Sequence, residues 1–299
     1  MDYMELIKRS VSNAWKYKFL WLFGFFVSVA DGFGGGHWWT DKLDRKCSIR
    51  FDEFGALGID HALLIFLALA AFSLWVLFWI MSVLSEGSLI HGISRKELKL
   101  KVNFSDCWSA GVARFFRLFG IMLLATLAVI FAIICMALVI VPSYFASVPL
   151  GIVLTILALP IIFVIIIVAV SVEGWAIRFA VLNDQSWLDA IGKGWLLFKD
   201  NVWKTLGVAF SSFFAQLVMW CILIIGMLIL AVPFVLMGIA SLWLGLLPGI
   251  MLAILIIILS SAFFGTFASS VWTLGFMQLT GYAEKQPAAD ADTPAPVAE

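Results

Sequence analysis

Charge is what this sequence has least of. Only 13% of its 299 residues are Asp, Glu, Lys or Arg, about half the share of a soluble globular domain. None of the 79 residues at positions 205–283 is charged. A water-soluble fold cannot hide a run of that length, so a soluble class is excluded. Cysteine is sparse too: Cys47, Cys107, Cys135 and Cys221 are widely spaced, with no CxxC pair and no Cys/His cluster. That argues against a disulfide framework or a zinc site. His37, His61 and His91 are far apart and no two stand at i, i+4, so no metal site is expected. Neither sign of charge is in excess, with 19 basic and 19 acidic residues, and nothing points to nucleic acid. No nucleophile–base pair stands out either, so no catalytic residue, no enzymatic activity and no cofactor are expected.

What the chain does have is apolar length. Hydrophobic residues make up 63% and the mean hydropathy is +1.07. A membrane-spanning helix needs about 20 mainly apolar residues. Residues 62–84, 118–141, 149–171 and 205–230 meet that requirement, and 249–272 follows the Pro248-Gly249 break. The piece between Pro233 and that break, 234–246, reads as a cap or re-entrant helix. The first apolar stretch, 19–30, is short and spans only by recruiting 14–18, whose lysines would snorkel to the interface. Ser28-Val29-Ala30 resembles a signal cleavage site, but the long leader and the early acids Asp2 and Glu5 favour a retained helix. The expected fold is therefore an all-α integral membrane protein with six transmembrane helices, a single membrane domain over 1–283 with spans at about 14–30, 62–84, 118–141, 149–171, 205–230 and 249–272. Residues 284–299, rich in Pro, Ala and Asp, read as a disordered tail.

Basic residues are retained on the cytoplasmic side. In a six-span arrangement 15 of the 19 fall on one side, leaving Lys42, Arg45, Lys46 and Arg50 in an outer loop with six acids from Asp31 to Asp60. Both termini are then expected in the cytoplasm of a bacterial inner membrane.

The chain also repeats itself at a spacing of 87. Glu86-Gly87 matches Glu173-Gly174, and without a gap Ile90 matches Ile177, Trp108 matches Trp195, Arg117 matches Lys204 and Gly120 matches Gly207. Residues 62–141 and 149–228 form the two copies, each a span, an amphipathic cytoplasmic segment and a second span. Phe104, Trp108, Val112 and Phe115 make one apolar stripe; Trp187, Ile191, Trp195, Phe198 and Val202 make the other. Asn103 and Ser186 sit where helix N-caps belong. Met4, Ile7, Val11, Ala14 and Trp15 form a third stripe, so the two ends of the chain look like a third unit. Such helices are expected to lie in the membrane interface, and parallel repeats imply an axis along the membrane normal.

Lys18-Phe-Leu-Trp-Leu-Phe-Gly24, Phe104-Ser-Asp-x-Trp-x-Ala-Gly111 and Arg114-Phe-Phe-Arg-Leu-Phe-Gly120 resemble a broad group of bacterial membrane proteins similar to the membrane domain fused to some glycerophosphoryl diester phosphodiesterases. The resemblance covers most of 1–283. It implies a membrane module without the catalytic barrel, so no catalytic residue carries over.

Few residues invite chemistry. Gly32-Phe-Gly-Gly-Gly36-His37 lacks the Lys-Ser/Thr ending of a phosphate loop and reads as a flexible loop beside Trp38-Trp39. Glu86 and His91 align with Glu173 and Arg178 at the inner span ends. Ionisable residues there mark a solute path or simply pair at the interface. Arg95, Lys96, Lys99, Lys101, Arg114 and Arg117 crowd one connection and are candidate contacts to anionic lipid headgroups. The function expected is a non-enzymatic membrane scaffold or envelope module contacting anionic lipid, with a small-solute or lipid transporter as the alternative. A polar cavity at Glu86, His91, Glu173 and Arg178 would favour transport, and a packed apolar centre would favour the scaffold.

Overall fold

A computed structural model describes residues 2–34, 61–240 and 242–282. The segment with Cys47, most of the glycine-rich segment, and the tail at 284–299 lie outside the described residues. The described chain is helical: α1 (Tyr3–Lys16), α2 (Leu20–Gly34), α3 (His61–Glu97), α4 (Phe104–Ala113), α5 (Phe115–Ala146), α6 (Val148–Leu182), α7 (Trp187–Asp200), α8 (Val202–Ala240) and α9 (Leu242–Thr280). Five of these, α3, α5, α6, α8 and α9, are long and apolar enough to cross a membrane, while Leu20–Val29 is a shorter apolar helix.

The boundaries differ from the sequence reading in three places. The expected first span at 14–30 is broken at 17–19: Ala14, Trp15 and Lys16 finish α1, and α2 starts afresh at Leu20. The break falls between the charged Lys16 and Lys18, and α1 turns aside to bury Leu6, Ser10, Asn13 and Ala14. No separate cap helix occupies 234–246, because α8 continues through Pro233 to Ala240 and α9 begins at Leu242, ahead of Pro248. A proline near the end of a long apolar helix leaves only a few backbone groups to re-satisfy. The long helices also overrun the apolar windows. The 37 residues of α3 extend roughly 55 Å at 1.5 Å per residue, against a hydrocarbon layer of about 30 Å.

Burial divides each long helix in two. In α3, Leu63, Phe66, Leu69 and Phe72 are exposed, whereas residues 82–90 are buried without a break. Residues 247–259 of α9 are largely exposed, whereas Phe267, Val271, Leu274 and Phe276 are core. The α5/α6 pair follows the same rule: almost none of its apolar windows is buried, and burial resumes at Leu118, Ile121 and Trp175. The packed core therefore sits at the end of the bundle that carries most of the charges among the described residues. There α1 packs on α9, α4 on α3 and α7 on α6, while α3, α6 and α9 touch one another. Trp175 is fully buried in this core and its Nε1 donates to Thr205 Oγ1 at 3.2 Å.

The caps divide as well. Ser186 accepts from the Asp189 amide at 3.3 Å, whereas Asn103 holds the N-cap position of α4 without a side-chain hydrogen bond.

The α2/α9 crossing is the closest backbone approach of the core. A Cβ on Gly24 would land on Ala262 O and Thr266 Oγ1, and one on Gly265 would land on Gly24 O. Nothing lies within 4 Å of the Cβ position of Gly192 in α7. Gly265→Ala is therefore expected to lower stability in detergent by roughly 1–3 kcal/mol, while Gly192→Ala raises it by up to about 1 kcal/mol through helix propensity. Thermal unfolding of both variants checks the pair; equal melting of Gly265→Ala and wild type would contradict the crossing.

Candidate functional site

Where α2, α3, α5, α6 and α9 converge, just inside the last exposed turns, they leave a cavity of about 280 Å³. Its polar lining is Ser82 and Glu86 from α3, Glu173 and Arg178 from α6, and Ser269 from α9, with Trp272 as an aromatic wall. Each polar group comes from the point where an apolar run meets the packed core. The helix continues there because its other faces still bury apolar side chains such as Ile90, Ile177 and Val271.

Arg178 and Glu86 form the centre. Arg178 Nη2 donates to Glu86 Oε1 at 3.1 Å, and the two side chains are only 4% and 10% exposed. Arg178 Nη1 donates to Gly174 O at 2.8 Å, and Ser269 Oγ donates to Glu86 Oε1 at 3.4 Å. The guanidinium also lies over the Trp272 ring, 6.0 Å from its centroid, a position favoured by the ring quadrupole. Arg178 Nε is buried without a hydrogen-bond partner among the described residues. A buried pair of this kind compensates two desolvation penalties that neither partner can meet alone.

Around this centre the hydroxyls are turned inward on their own helices. Thr266, Ser270 and Thr273 donate to the carbonyls of Ala262, Thr266 and Ser269 at 2.7–2.9 Å, and Ser88 donates to Leu84 O at 2.8 Å. Back-bonding lets α9 carry polar groups through the core with their donors satisfied.

The structure brings together three of the four candidate residues, Glu86, Glu173 and Arg178. His91 does not line the cavity; its charged neighbours are Arg114, Arg95 and Asp106. It aligns with Arg178 in the repeat, but an imidazole lacks the length by which a guanidinium reaches round the helix. The sequence reading does not single out Ser82, Ser269 or Trp272. The one available signal was the density of hydroxyls in α9, at Thr266, Ser269, Ser270 and Thr273.

Four of the six candidate headgroup contacts have protein partners. Arg95 Nη1 pairs with Asp106 Oδ2 at 3.3 Å. Lys96 donates to Asn13 Oδ1 and lies 5.0 Å from the Tyr17 ring centroid. Arg117 and Arg114 both meet Asp184, at 2.6 and 3.4 Å. Asp184 follows the end of α6 with a left-handed φ of 51°, as Lys99 does after α3 with 59°. Lys99 and Lys101 are exposed and have no ion pair among the described residues. Beside them Cys107 in α4 is buried, and that burial, with Asp106 adding to it, pushes its thiol up to about 11. It stays neutral at physiological pH and acts as a packing group. No group of three or more His, Cys, Asp or Glu side chains that could hold a metal ion occurs among the described residues.

A family model, described as a family of unknown function (DUF7544), matches residues 12–283. The chain belongs to this family. No curated protein and no solved structure matches it. The span of the DUF7544 match takes in every helix that lines the cavity, together with α4, α7 and the last turn of α1, so the cavity and these two short helices are parts of one family domain.

Removing one partner of the buried pair should be costly. Glu86→Gln leaves the Arg178 charge uncompensated and is expected to lower stability by about 3–5 kcal/mol, while Glu86→Leu with Arg178→Leu recovers much of it. Thermal unfolding in detergent measures both. A Glu86→Gln variant as stable as wild type would mean that the pair is not desolvated.

Proposed function

We propose that this multi-pass membrane protein binds a small polar solute in the cavity at the junction of α3, α6 and α9 and passes it across the membrane. The observation that carries the reading is the cavity itself, with two carboxylates and an arginine beside the ends of apolar helices. Ionisable groups at membrane depth are costly and are found mainly where they serve a pathway. At about 280 Å³ the space lies at the small end of ligand sites, which suits a compact solute. We assign it no catalytic role.

The same reading takes α2 as a sixth crossing and the chain as three hairpin units about an axis near α3, α6 and α9. Supporting it, Glu86 and Glu173 occupy equivalent positions of the two repeats and both line the cavity. The third unit would run from α9 through α1 to α2, since α1 packs on α9 as α4 does on α3 and α7 on α6. In this reading the packed end, and with it both termini, faces the cytoplasm of a bacterial inner membrane, which the distribution of basic residues supports.

A scaffold role has one specific observation in its favour: the three short helices keep apolar side chains exposed, at Met4 and Val11, at Phe104 and Val112, and at Trp187, Leu188 and Trp195. These faces suit the membrane interface, with Lys99 and Lys101 free to meet anionic headgroups.

Cysteine accessibility separates the two readings. In a background without the native cysteines, Ser82→Cys and Ser269→Cys should react with a small charged methanethiosulfonate in the folded protein, and one or more small charged solutes should protect them. Absence of reaction before unfolding would make the Glu86–Arg178 pair a dry staple and leave the scaffold.

A further inference from the structure

On the surface of the bundle, the α1–α2 junction lies against α8 and α9 and leaves an open groove of about 320 Å³. Its lining is almost wholly apolar and includes Trp15, Trp21, Met219, Leu259, Phe263 and Phe264. Three of the rings hold each other edge to face: Trp15 and Trp21 are 6.2 Å apart, and Phe263 lies 6.2 and 5.9 Å from them. Trp21 Nε1 donates to Ala14 O at 2.6 Å. The polar edge of that indole is thus already used, and it offers the groove carbon only. Leu259 and Ile222 are exposed beside it, within two of the helices apolar enough to span a membrane.

Among the described residues that line the groove none is charged, and the nearest charges in sequence stand at one end of it, with Lys16 also within electrostatic reach of Lys96 on α3. Lys16 and Lys18 follow Trp15 directly where α1 gives way to α2, and both are exposed, with no ion pair among the described residues. The other walls, α8 and α9, come from the stretch 205–283, which holds no charged residue, so no carboxylate there competes for the lysines. The groove's α8 and α9 walls belong to helices apolar enough to cross a membrane, and two cations follow Trp15 where the chain breaks between α1 and α2.

We propose that this groove binds an anionic membrane phospholipid, one acyl chain lying against Trp15, Trp21, Phe263 and Phe264 and the phosphate held by Lys16 and Lys18. A concave aromatic wall removes more of the chain from its neighbours than a flat helix surface does, so this lipid exchanges more slowly than the annular ones. The lysines select the headgroup, because a zwitterionic lipid offers them no net charge. The site is separate from the polar cavity, and neither depends on the other.

Full-length protein in nanodiscs containing a phosphatidylglycerol with a photoactivatable acyl chain should crosslink chiefly within residues 15–21 and 259–264, mapped by peptide mass spectrometry. Native mass spectrometry with equal phosphatidylglycerol and phosphatidylcholine should show one retained phosphatidylglycerol. Lys16→Gln with Lys18→Gln should lower its occupancy by roughly tenfold or more, with the melting temperature and the phosphatidylcholine signal unchanged. Leu259→Trp, which fills the groove from its exposed side, should lower the crosslink yield at the same peptides. Crosslinks spread evenly over α3, α5 and α6, or retention lost only on Lys99→Glu with Lys101→Glu, would overturn the proposal.

Discussion

A helix of 35 to 39 residues, as in α6, α8 and α9, is about 52 to 58 Å long, and the hydrocarbon of a bilayer is only about 30 Å thick. The rest of this structure follows from that mismatch. About twenty residues of each long helix need no protein neighbour, because lipid covers them as well as another side chain would. The remaining turns project beyond the hydrocarbon and must find partners. They find them in one another and in α1, α4 and α7, which pack back on α9, α3 and α6. The core therefore gathers at one end of the bundle, around Trp175, Phe267, Phe276 and Leu118, and the apolar windows above it are left bare.

The level where bare helix becomes packed helix is also where polarity can enter. Below it, side chains such as Ser88, Thr266 and Ser270 return their hydrogen bonds to their own helices. At it, Glu86 and Arg178 stand opposite each other across three helices. Their attraction is strong because water is largely excluded, and each would be costly alone. The pair fixes α3 against α6, Ser269 ties α9 to the same carboxylate, and the space left between the three helices is lined by groups that a small polar solute can use. Stability and the proposed binding thus draw on the same residues.

Much of this was legible in the sequence, and the reasons differ from feature to feature. The long helices at 62–84, 118–141, 149–171, 205–230 and 249–272 announced themselves because unpaired backbone cannot be left in hydrocarbon, so an apolar run of that length must be helical. Their ends did not, because a hydropathy window stops at the first charge. In α3 and α6 that charge is Glu86 or Glu173, and the helix runs on for another 9 to 11 residues. The first span was misjudged since the apolar run at 19–30 gives no sign that α1 must turn aside to bury Asn13 against Lys96 and Glu97. Glu86, Glu173 and Arg178 were visible as ionisable groups at span ends. Ser269 and Trp272 were not, because a hydroxyl in an apolar helix scores as neutral and a tryptophan near a span end scores as an anchor.

The central claim is that each long helix changes solvent at a defined turn, from lipid to protein. Spin labels placed one at a time along α6, from position 150 to position 180 in reconstituted bilayers, test it most directly through their collision rates with oxygen and with a water-soluble nickel chelate. The account predicts oxygen accessibility that peaks near position 160 and falls sharply by 171–174, with nickel contact rising only from there. Oxygen accessibility that stays high through 178 would put the Glu86–Arg178 pair in open hydrocarbon and contradict it.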